Sequence, residues 1–324
     1  MTRRSWLMMG GAAAVWGASY MFIKVALDDF SEGAIVCIRT ALGAVVLLAL
    51  ARRWDALAPL RGRWPWVAAI AFVQVVIPFL LITFGENHIE SQLAGILVSA
   101  APIFTALLAL GFDHDERSQG WAAVGIVVGM LGVVLLFGLD LSGSSDELVG
   151  GLMVLGASLG YAVGAMLFKH KLPGAPPVGV AGGQMAVAAI ATLPLCLANL
   201  PDHAPSFKAA GSLVLLGAAG TGIAFLWFYT LLSEIGPARA SVIAYIAPGF
   251  SVVYGVVLLG EGFSVAAIAG LGLILAGSWL AVGGRAKRGA GARDGARPDA
   301  APVQEACAPV ESPAPVAATA HAKS

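Results

Sequence analysis

Ten apolar runs, separated by short polar segments, pattern this chain from its first residues to about Gly284. Each run approaches or exceeds the roughly 20 residues that an α-helix needs to cross the hydrocarbon core of a bilayer. The pattern therefore predicts an all-α polytopic membrane protein with ten transmembrane helices. The predicted spans are 5–25, 34–51, 66–84, 91–112, 119–138, 149–168, 178–198, 209–231, 239–259 and 264–284.

The second half of the chain repeats the first. Residues recur 145 or 146 positions later in the pairs Gly11–Gly156, Lys24–Lys169, Pro102–Pro248, Glu116–Glu261, Gly125–Gly270 and Gly132–Gly277. Such self-similarity indicates a duplication. Each half holds five spans, an odd number, so the second half should enter the membrane upside down. Two inverted five-helix repeats of this kind are a hallmark of secondary transporters.

The repeat also suggests how the chain is divided. We expect a first repeat over 1–138, a linker over 139–148 and a second repeat over 149–284. Residues 285–324 are rich in Ala, Pro and Gly and nearly free of large apolar side chains. A segment of this composition cannot bury enough apolar surface to offset the entropy lost on ordering. It is therefore predicted to be a disordered cytoplasmic tail.

The basic residues predict the orientation. With the N-terminus inside, the inner segments hold most of the Lys and Arg residues, whereas the outer loops hold only Lys208. Because Lys and Arg accumulate on cytoplasmic loops, both termini are predicted to be cytoplasmic, in a multi-pass protein of the cell membrane.

Composition supports a membrane protein and excludes several other classes. The chain is 58% hydrophobic and only 12% charged, whereas soluble domains carry about 25% charged residues. The three cysteines are far apart in the sequence and form no ligand-like cluster. We therefore expect no metal, no cofactor and no nucleic-acid partner. The expected partners are the lipid bilayer, a small-molecule solute and, as one option, further copies of the chain.

Trp16, Tyr20 and Lys24 share one face of the first predicted helix, because they are four residues apart. Lys24 is interpreted chiefly as a residue that snorkels to the outer headgroups. Trp16 has two equal interpretations, ordinary helix packing and a cavity wall. Tyr161 stands where Trp16 stands in the repeat, and aromatic residues at both positions suit a central site shared by the two halves.

Arg39 lies about two turns inside the second span, and its counterpart in the repeat is Gln184. A charge within a span usually faces the bundle interior or water. It could bind a substrate carboxylate, which a guanidinium group does well. The favoured hypothesis is instead a buried structural pair with an outer-loop acid such as Asp28 or Glu32.

Pro102 and Pro248 fall near the middle of spans four and nine. A proline removes one backbone N–H and frees a carbonyl one turn earlier. Matched interruptions in two inverted halves point to a binding or gating region, so both prolines are predicted to take part in gating. Ser99, Tyr245 and Gln74 are nearby polar candidates.

No Asp or Glu is predicted in the middle of any span, so the buried charge is positive. Exporters of cationic drugs need a carboxylate there as counter-ion and proton relay. The pattern therefore favours anionic or zwitterionic solutes, and it leaves proton coupling without an evident carrier.

The segment FLWFYTLLSEIGPARASVIAYIAPGFSVVYGVVLLGEGFS (225–264) resembles the drug/metabolite transporter superfamily, EamA type. The resemblance covers about residues 5–284. It implies a ten-helix inverted-repeat exporter whose central cavity is lined by helices 1, 3, 4, 6, 8 and 9. By that implication Glu116 and Glu261 are structural turns, although DHDERS (113–118) departs from the family's turn. The implied cavity residues are Trp16, Tyr20, Gln74, Ser99, Tyr161, Trp227 and Tyr245.

These observations lead to one functional hypothesis, a secondary transporter that exports a small metabolite, such as an amino acid or a derivative, or a drug-like compound, by alternating access. A flippase for lipid headgroups is an alternative within transport. An intramembrane enzyme acting on lipid is the alternative from another class. It would need a nucleophile–base or metal constellation, and the sequence offers none, so no enzymatic activity is predicted.

Overall fold

A computed structural model describes residues 2–112, 121–139, 144–201, 203–235, 240, 242–262 and 264–291. This part of the chain is helical, without strands. Seven of its helices are long and apolar enough to cross a membrane, and three shorter apolar helices follow the same pattern. The predicted all-α polytopic fold is confirmed.

The ten helices are numbered in chain order. They are α1 (Arg3–Ala26), α2 (Glu32–Arg53), α3 (Trp64–Gly85), α4 in two parts (Ser91–Val98 and Ala101–Phe112), α5 (Trp121–Leu139), α6 (Ser145–Lys171), α7 (Pro177–Ala198), α8 in three consecutive parts (Phe207–Leu215, Leu216–Ile223 and Ala224–Ile235), α9 (Ile243–Leu259) and α10 (Val265–Gly291). A short 3₁₀-helix, Ala58–Leu60, lies between α2 and α3.

Two helix ends differ from the prediction. Helix α6 begins at Ser145, before the predicted start at 149, because the Ser144 hydroxyl accepts a hydrogen bond from the Glu147 amide and caps the helix there. Helix α10 continues past 284 to Gly291. Residues 292–324 of the predicted tail, and 140–143 of the predicted linker, lie outside the described residues. Contacts divide the chain into two units, Met1–Ala286 and Lys287–Ser324.

Helix starts at one end of the bundle are capped by short polar side chains. This end, called here the Lys24 face, carries the loops 27–31, 86–90, 199–206 and 260–264. The hydroxyls of Ser31, Ser144, Ser206 and Ser264 accept amide hydrogen bonds at the starts of α2, α6, α8 and α10. Each satisfies an amide that the helix cannot pair internally. Helix α4 has no such cap from its own preceding residue.

Helices α2 and α7, which occupy equivalent places in the two repeats, pack along their length. Gly33, early in α2, approaches Leu195, whereas Gly182, early in α7, approaches Leu47. Residue numbers therefore rise along one helix as they fall along the other. Two equivalent helices that run antiparallel require repeats of opposite orientation, so the predicted inversion is confirmed.

The glycines that repeat across the two halves form the crossing of α5 with α10. Gly125 approaches Gly277, and Gly132 approaches Gly270. In the sequence, Gly125 corresponds to Gly270 and Gly132 to Gly277. Each glycine therefore contacts the counterpart of the other, which is the pattern that a two-fold axis produces. The absence of side chains allows the two backbones to touch, as is common in membrane helix pairs.

The two repeats exchange their first helices. Helix α1 packs against α8 and α9 of the second repeat, and α6 packs against α3 and α4 of the first. Both α3 and α8 contain a wider π-helical segment, Phe72–Val76 and Leu216–Ile223. These segments are equivalent in the repeat, since 72–76 corresponds to 217–221. Helix α1 of the first repeat therefore contacts the π segment of α8, and α6 of the second repeat contacts the π segment of α3.

The α5–α10 crossing yields a stability prediction. A Cβ at Gly277 would lie 2.5 Å from the backbone oxygen of Gly125, whereas a Cβ at Gly272 on the same helix meets nothing within 4 Å. We expect Gly277→Ala to lower the free energy of unfolding by about 1–3 kcal/mol through overpacking. Gly272→Ala should be neutral or slightly stabilising, because alanine favours helix.

Thermal unfolding of the two purified variants in detergent checks this prediction. A melting temperature that falls equally in both variants, or in neither, would contradict the close crossing.

Candidate functional site

Arg39 lies at the centre of the bundle, buried on α2. Its side chain is only 6% exposed, and its guanidinium carbon sits 3.9 Å from the centre of the Phe79 ring. Its Nε atom has no hydrogen-bond partner. Tyr20 of α1 and Tyr161 of α6 are close enough to act on its charge. Two of the predicted tyrosines and the predicted arginine are thus brought together.

The favoured role of Arg39 as half of a structural ion pair is wrong. Among the described residues, neither Asp28 nor Glu32 forms an ion pair with it. Glu32, at the first residue of α2, instead accepts a hydrogen bond of 2.6 Å from the Asn87 side chain. It lies about two turns from Arg39 along the helix, too far to reach it. The second hypothesis, that Arg39 binds an anionic solute group, remains.

The π segment of α3 carries Gln74, a predicted cavity residue. The side-chain amide of Gln184, on α7, donates a hydrogen bond of 3.3 Å to the Gln74 side-chain oxygen. Gly164 of α6 packs directly against the Gln74 side chain. A π segment adds one residue to a helical turn and frequently marks a functional position. Here the π segment joins α3, α6 and α7 at Gln74 and Gln184.

Trp16 meets the equivalent π segment of α8. Its indole Nε1 donates a hydrogen bond of 3.1 Å to the carbonyl oxygen of Gly220. Its ring packs against Phe225 and Phe228, with ring centres 5.6 and 5.4 Å away. Trp227, another predicted cavity residue, belongs to the same cluster. The polar atom of Trp16 is therefore engaged with the backbone, which gives the residue a packing role. A further role towards a solute stays a prediction.

Lys24 lies near the end of α1 and is half-buried. Its ammonium group donates hydrogen bonds to two backbone oxygens, those of Glu86 and of Ile89, the second at 3.0 Å. Both acceptors lie in the loop between α3 and α4, whose carbonyls are not used in a helix and are free to accept. Lys24 therefore ties α1 to this loop, and snorkelling of its side chain to the outer headgroups stays a prediction.

Glu86 is a buried acid that the sequence pattern missed. It follows the last residue of α3, is 0% exposed, and neither of its carboxylate oxygens has a hydrogen-bond partner. The segment GENHIE reads as a polar outer loop, so nothing in the sequence distinguishes Glu86 from its exposed neighbours. The folding of the loop beneath Lys24 buries it. The buried ionisable groups of the described residues are therefore not only basic.

A clasp joins the turn before α10 to the start of α4. The two carboxylate oxygens of Glu261 accept hydrogen bonds from the amides of Ser91 (2.7 Å) and Gln92 (3.0 Å). Glu90 accepts from the Gly262 amide at 3.1 Å, and the Gln92 side chain donates to the Gly262 oxygen at 2.7 Å. We call these residues the Glu261 clasp. Glu261 supplies the cap that α4 lacks, and its charge suits the positive end of the helix dipole.

Two depressions open on the Lys24 face. One has a volume of about 440 Å³ and is lined mainly by polar residues, namely Lys24, Asn87, His88, Glu90, Gln92, Glu147, Gly262 and Ser264.

The other depression lies between the loops 27–31 and 198–203. There Asp29 accepts hydrogen bonds from Ser206 and His203, and these bonds hold the pKa of the Asp29 carboxyl below its usual range. This loop contact is therefore kept at neutral pH and lost as the pH falls through the lowered pKa.

The two matched prolines sit in different surroundings, contrary to the expected equivalence. Helix α4 breaks at Ser99 and Ala100, so Pro102 lies in the first turn of its second part, where a missing N–H costs little. Pro248 lies inside the unbroken helix Ile243–Tyr254. The Ser99 hydroxyl donates to the Ile96 carbonyl within the break. Gating by these prolines stays a prediction, and so does a solute contact by Tyr245, which is half-buried.

The sequence matches the EamA-like transporter family twice, over residues 4–138 and 148–283. The match covers both repeats. Glu116, the predicted counterpart of Glu261, falls within the first matched segment but outside the described residues.

Curated proteins of similar sequence are transporters. An uncharacterized transporter of Archaeoglobus fulgidus is 26% identical over 86% of this chain and 99% of its own length. The uncharacterized inner membrane transporter YedA of Escherichia coli is 27% identical over 81% of this chain and 85% of its own length. A probable amino-acid metabolite efflux pump of Salmonella typhimurium is 27% identical over 88% of this chain and 96% of its own length.

A crystal structure of a protein that is 20% identical has a similar fold. The superposition covers 89% of this chain and 99% of that chain, with a TM-score of 0.63. At this identity the likeness concerns the fold alone.

The Glu261 clasp yields a prediction about local opening. Glutamine has one acceptor oxygen, so Glu261→Gln loses one amide bond and the negative charge at the start of α4. Hydrogen bonds to charged groups contribute about 1.5–3 kcal/mol, so the amides of Ser91 and Gln92 should exchange with solvent about tenfold faster or more.

Hydrogen–deuterium exchange of peptides covering 89–97 measures this effect. Glu147→Gln is the matched control, since Glu147 lines the same depression but lies outside the clasp. Equal protection of 89–97 in both variants would show that the clasp does not hold α4.

Proposed function

Because the chain belongs to the EamA-like transporter family, we propose that it is a secondary transporter that exports small amino-acid-like metabolites across the cell membrane. The observation that carries this proposal is Arg39, a buried guanidinium group without an ion-pair partner among the described residues. Such a group suits a transporter of anionic or zwitterionic solutes, because no carboxylate of the described residues already occupies it.

The surroundings of Arg39 suit a solute carboxylate. An arginine presents several N–H donors in a planar fork and binds a carboxylate through two parallel hydrogen bonds. Phe79 packs against the guanidinium carbon at 3.9 Å and supports it without occupying its donors. Tyr20 and Tyr161 approach from α1 and α6, helices that come from different repeats. A site shared by both repeats is what alternating access around a fixed centre requires.

Closure of the Lys24 face supports alternating access. In this conformation Arg39 is almost fully buried, and the Glu261 clasp ties the turn at 260–262 to α4. A solute can therefore reach Arg39 only after helices move. The break in α4 and the π segments of α3 and α8 are local departures from regular helix at which such a movement can be absorbed.

The solute class rests on two supports. One relative is named a probable amino-acid metabolite efflux pump, and another, from Streptantibioticus cattleyicolor, a probable terminal-alkyne amino-acid exporter. An amino acid carries a carboxylate, which is the ion-pair partner that Arg39 lacks among the described residues.

The orientation proposed for this chain follows from its basic residues. Arg52, Arg53, Arg61 and Arg63 lie at the end opposite the Lys24 face. Since basic loops stay in the cytoplasm, the Lys24 face would be extracellular and both termini cytoplasmic.

Efflux from liposomes containing the purified protein tests this function. Vesicles loaded with a labelled amino acid should lose it in a saturable manner, whereas the matching amine without a carboxyl group should be transported poorly. Arg39→Gln removes the charge and should lower amino-acid efflux about tenfold or more, as expected for a lost charge-assisted bond of 1.5–3 kcal/mol.

The matched control is Arg53→Gln, the same substitution at an exposed residue of the same helix. Efflux of the acid and the amine at equal rates, or equal efflux by the two variants, would remove Arg39 from the site. Exposure of labelled lipid headgroups without solute efflux would favour a flippase instead.

A further inference from the structure

We propose that Glu86 receives the amino group of the exported solute, so that the site selects zwitterions over simple anions. This inference rests on the proposed transport function and on Arg39 as the residue that binds the solute carboxylate. The sequence favours anionic and zwitterionic solutes without a choice between them, and the buried acid supplies that choice.

Glu86 offers two hydrogen-bond acceptors that nothing in the described part of the chain uses. Its side chain is 0% exposed, and neither carboxyl oxygen has a hydrogen-bond partner. A buried polar group in this state is costly. Lys24 donates instead to the backbone oxygens of Glu86 and Ile89. The two carboxyl oxygens are therefore available to a donor from outside the chain, and an ammonium group carries three N–H donors.

The register of α2 and α3 gives the separation between Glu86 and Arg39. At the Lys24 face the Asn87 side chain, next to Glu86, donates a hydrogen bond of 2.6 Å to Glu32. Arg39 follows Glu32 by seven residues on α2. Phe79, which the Arg39 guanidinium contacts, precedes Glu86 by seven residues on α3. Seven helical residues rise about 10 Å, so both helices place the backbones of Arg39 and Glu86 about that far apart along the bundle.

An amino acid fits a separation of this size. Its amino nitrogen and carboxyl carbon lie about 2.5 Å apart, since both are bonded to Cα. A hydrogen bond of about 3 Å at each end extends the whole to roughly 8–9 Å. Side chains lean towards the N-terminus of their helix. Because α2 and α3 run in opposite directions, Arg39 and Glu86 lean towards one another, and their polar groups are closer than their backbones.

Tyr20 places the two groups in one region of the bundle. It lies on α1, one turn before Lys24, and is close enough to both Glu86 and Arg39 to be affected by their charges. Tyr20 is also one of the predicted cavity residues. The acid and the base therefore belong to the same candidate site, between α1, α2 and α3.

The basic and acidic groups around Glu86 also favour a zwitterion. Lys24 approaches from α1, Arg39 from α2 and Glu261 from the turn before α10. With Glu86 itself, two basic and two acidic side chains share this region. A zwitterion adds one charge of each sign and keeps that balance. A simple anion adds an uncompensated charge, which is expensive to bury away from water.

The test compares two solutes that differ in one group. Liposomes that contain the full-length protein are loaded with labelled phenylalanine or with labelled phenyllactate, which has a hydroxyl group in place of the ammonium group. A charge-assisted hydrogen bond is about twice as strong as a neutral one. After subtraction of leakage from protein-free vesicles, the wild type should therefore export phenylalanine about tenfold faster or more.

Substitutions of Glu86 should change this preference. Glu86→Gln removes the acid and should lower phenylalanine efflux to near the phenyllactate rate, while phenyllactate efflux stays near that of the wild type. Glu86→Asp keeps a carboxyl group and should retain part of the preference. Glu32→Gln is the matched control, because Glu32 is an acid on the same face whose bond to Asn87 a glutamine can keep. It should show the full preference.

Three results would overturn the inference while leaving transport intact. They are equal export of the two solutes by the wild type, an unchanged preference in Glu86→Gln, and equal losses for both solutes in that variant, which would give Glu86 a structural role. Absence of efflux of either solute in the wild type would instead count against the proposed function.

A second measurement needs no variant. Thermal unfolding of the purified wild type in detergent is followed with phenylalanine, phenyllactate or phenethylamine at equal concentrations. A ligand of the native state raises the melting temperature more, the more tightly it binds. Phenylalanine, which carries groups for both Arg39 and Glu86, should stabilise the protein more than either analogue. Equal stabilisation by phenylalanine and phenyllactate would overturn the inference.

Discussion

Hydrocarbon offers no hydrogen bonds, and this constraint shapes every irregular part of the bundle. Wherever the backbone departs from regular helix at depth, a neighbour must satisfy it. The indole of Trp16 bonds to the carbonyl of Gly220 in the π segment of α8, and the Thr221 hydroxyl bonds to Leu216 in the same segment. Lys24 does the same for the loop after α3. Helix α1 thus supplies hydrogen-bond donors to irregular backbone in both repeats.

The same constraint identifies the groups that function can use. A buried polar atom without a partner is costly, and most of those in this bundle are paired. Two side chains stand out, Arg39 with a free Nε and Glu86 with two free oxygens. One is a base and the other an acid, and no ion pair joins them. A stable core would pair or replace them. Two buried groups that are not paired with each other suit a protein in which each binds a group from outside the chain.

The fold was predictable from the sequence because its determinants are long and repeated. Apolar runs of membrane length fix the helices, and glycines at a constant spacing mark the α5–α10 crossing. The roles of Arg39, Lys24 and Glu86 were not predictable in the same way. Those of Lys24 and Glu86 depend on how the loop 86–90 folds, and that loop resembles any polar outer loop in composition. Tyr161 could be singled out because it stands where Trp16 stands in the repeat, and Tyr20 because it shares a helix face with Trp16.

The freedom of Arg39 follows from a break in the repeat's own symmetry. Its counterpart Gln184 reaches the π segment of α3 and bonds there to Gln74. By the same symmetry Arg39 faces the π segment of α8, and its backbone indeed lies against Gly217. The residue of α8 that corresponds to Gln74 is Ala219, which has no polar side chain to offer. At one of the two equivalent positions the polar side chains therefore pair, Gln184 with Gln74. At the other, Arg39 faces Ala219 and has no polar partner there.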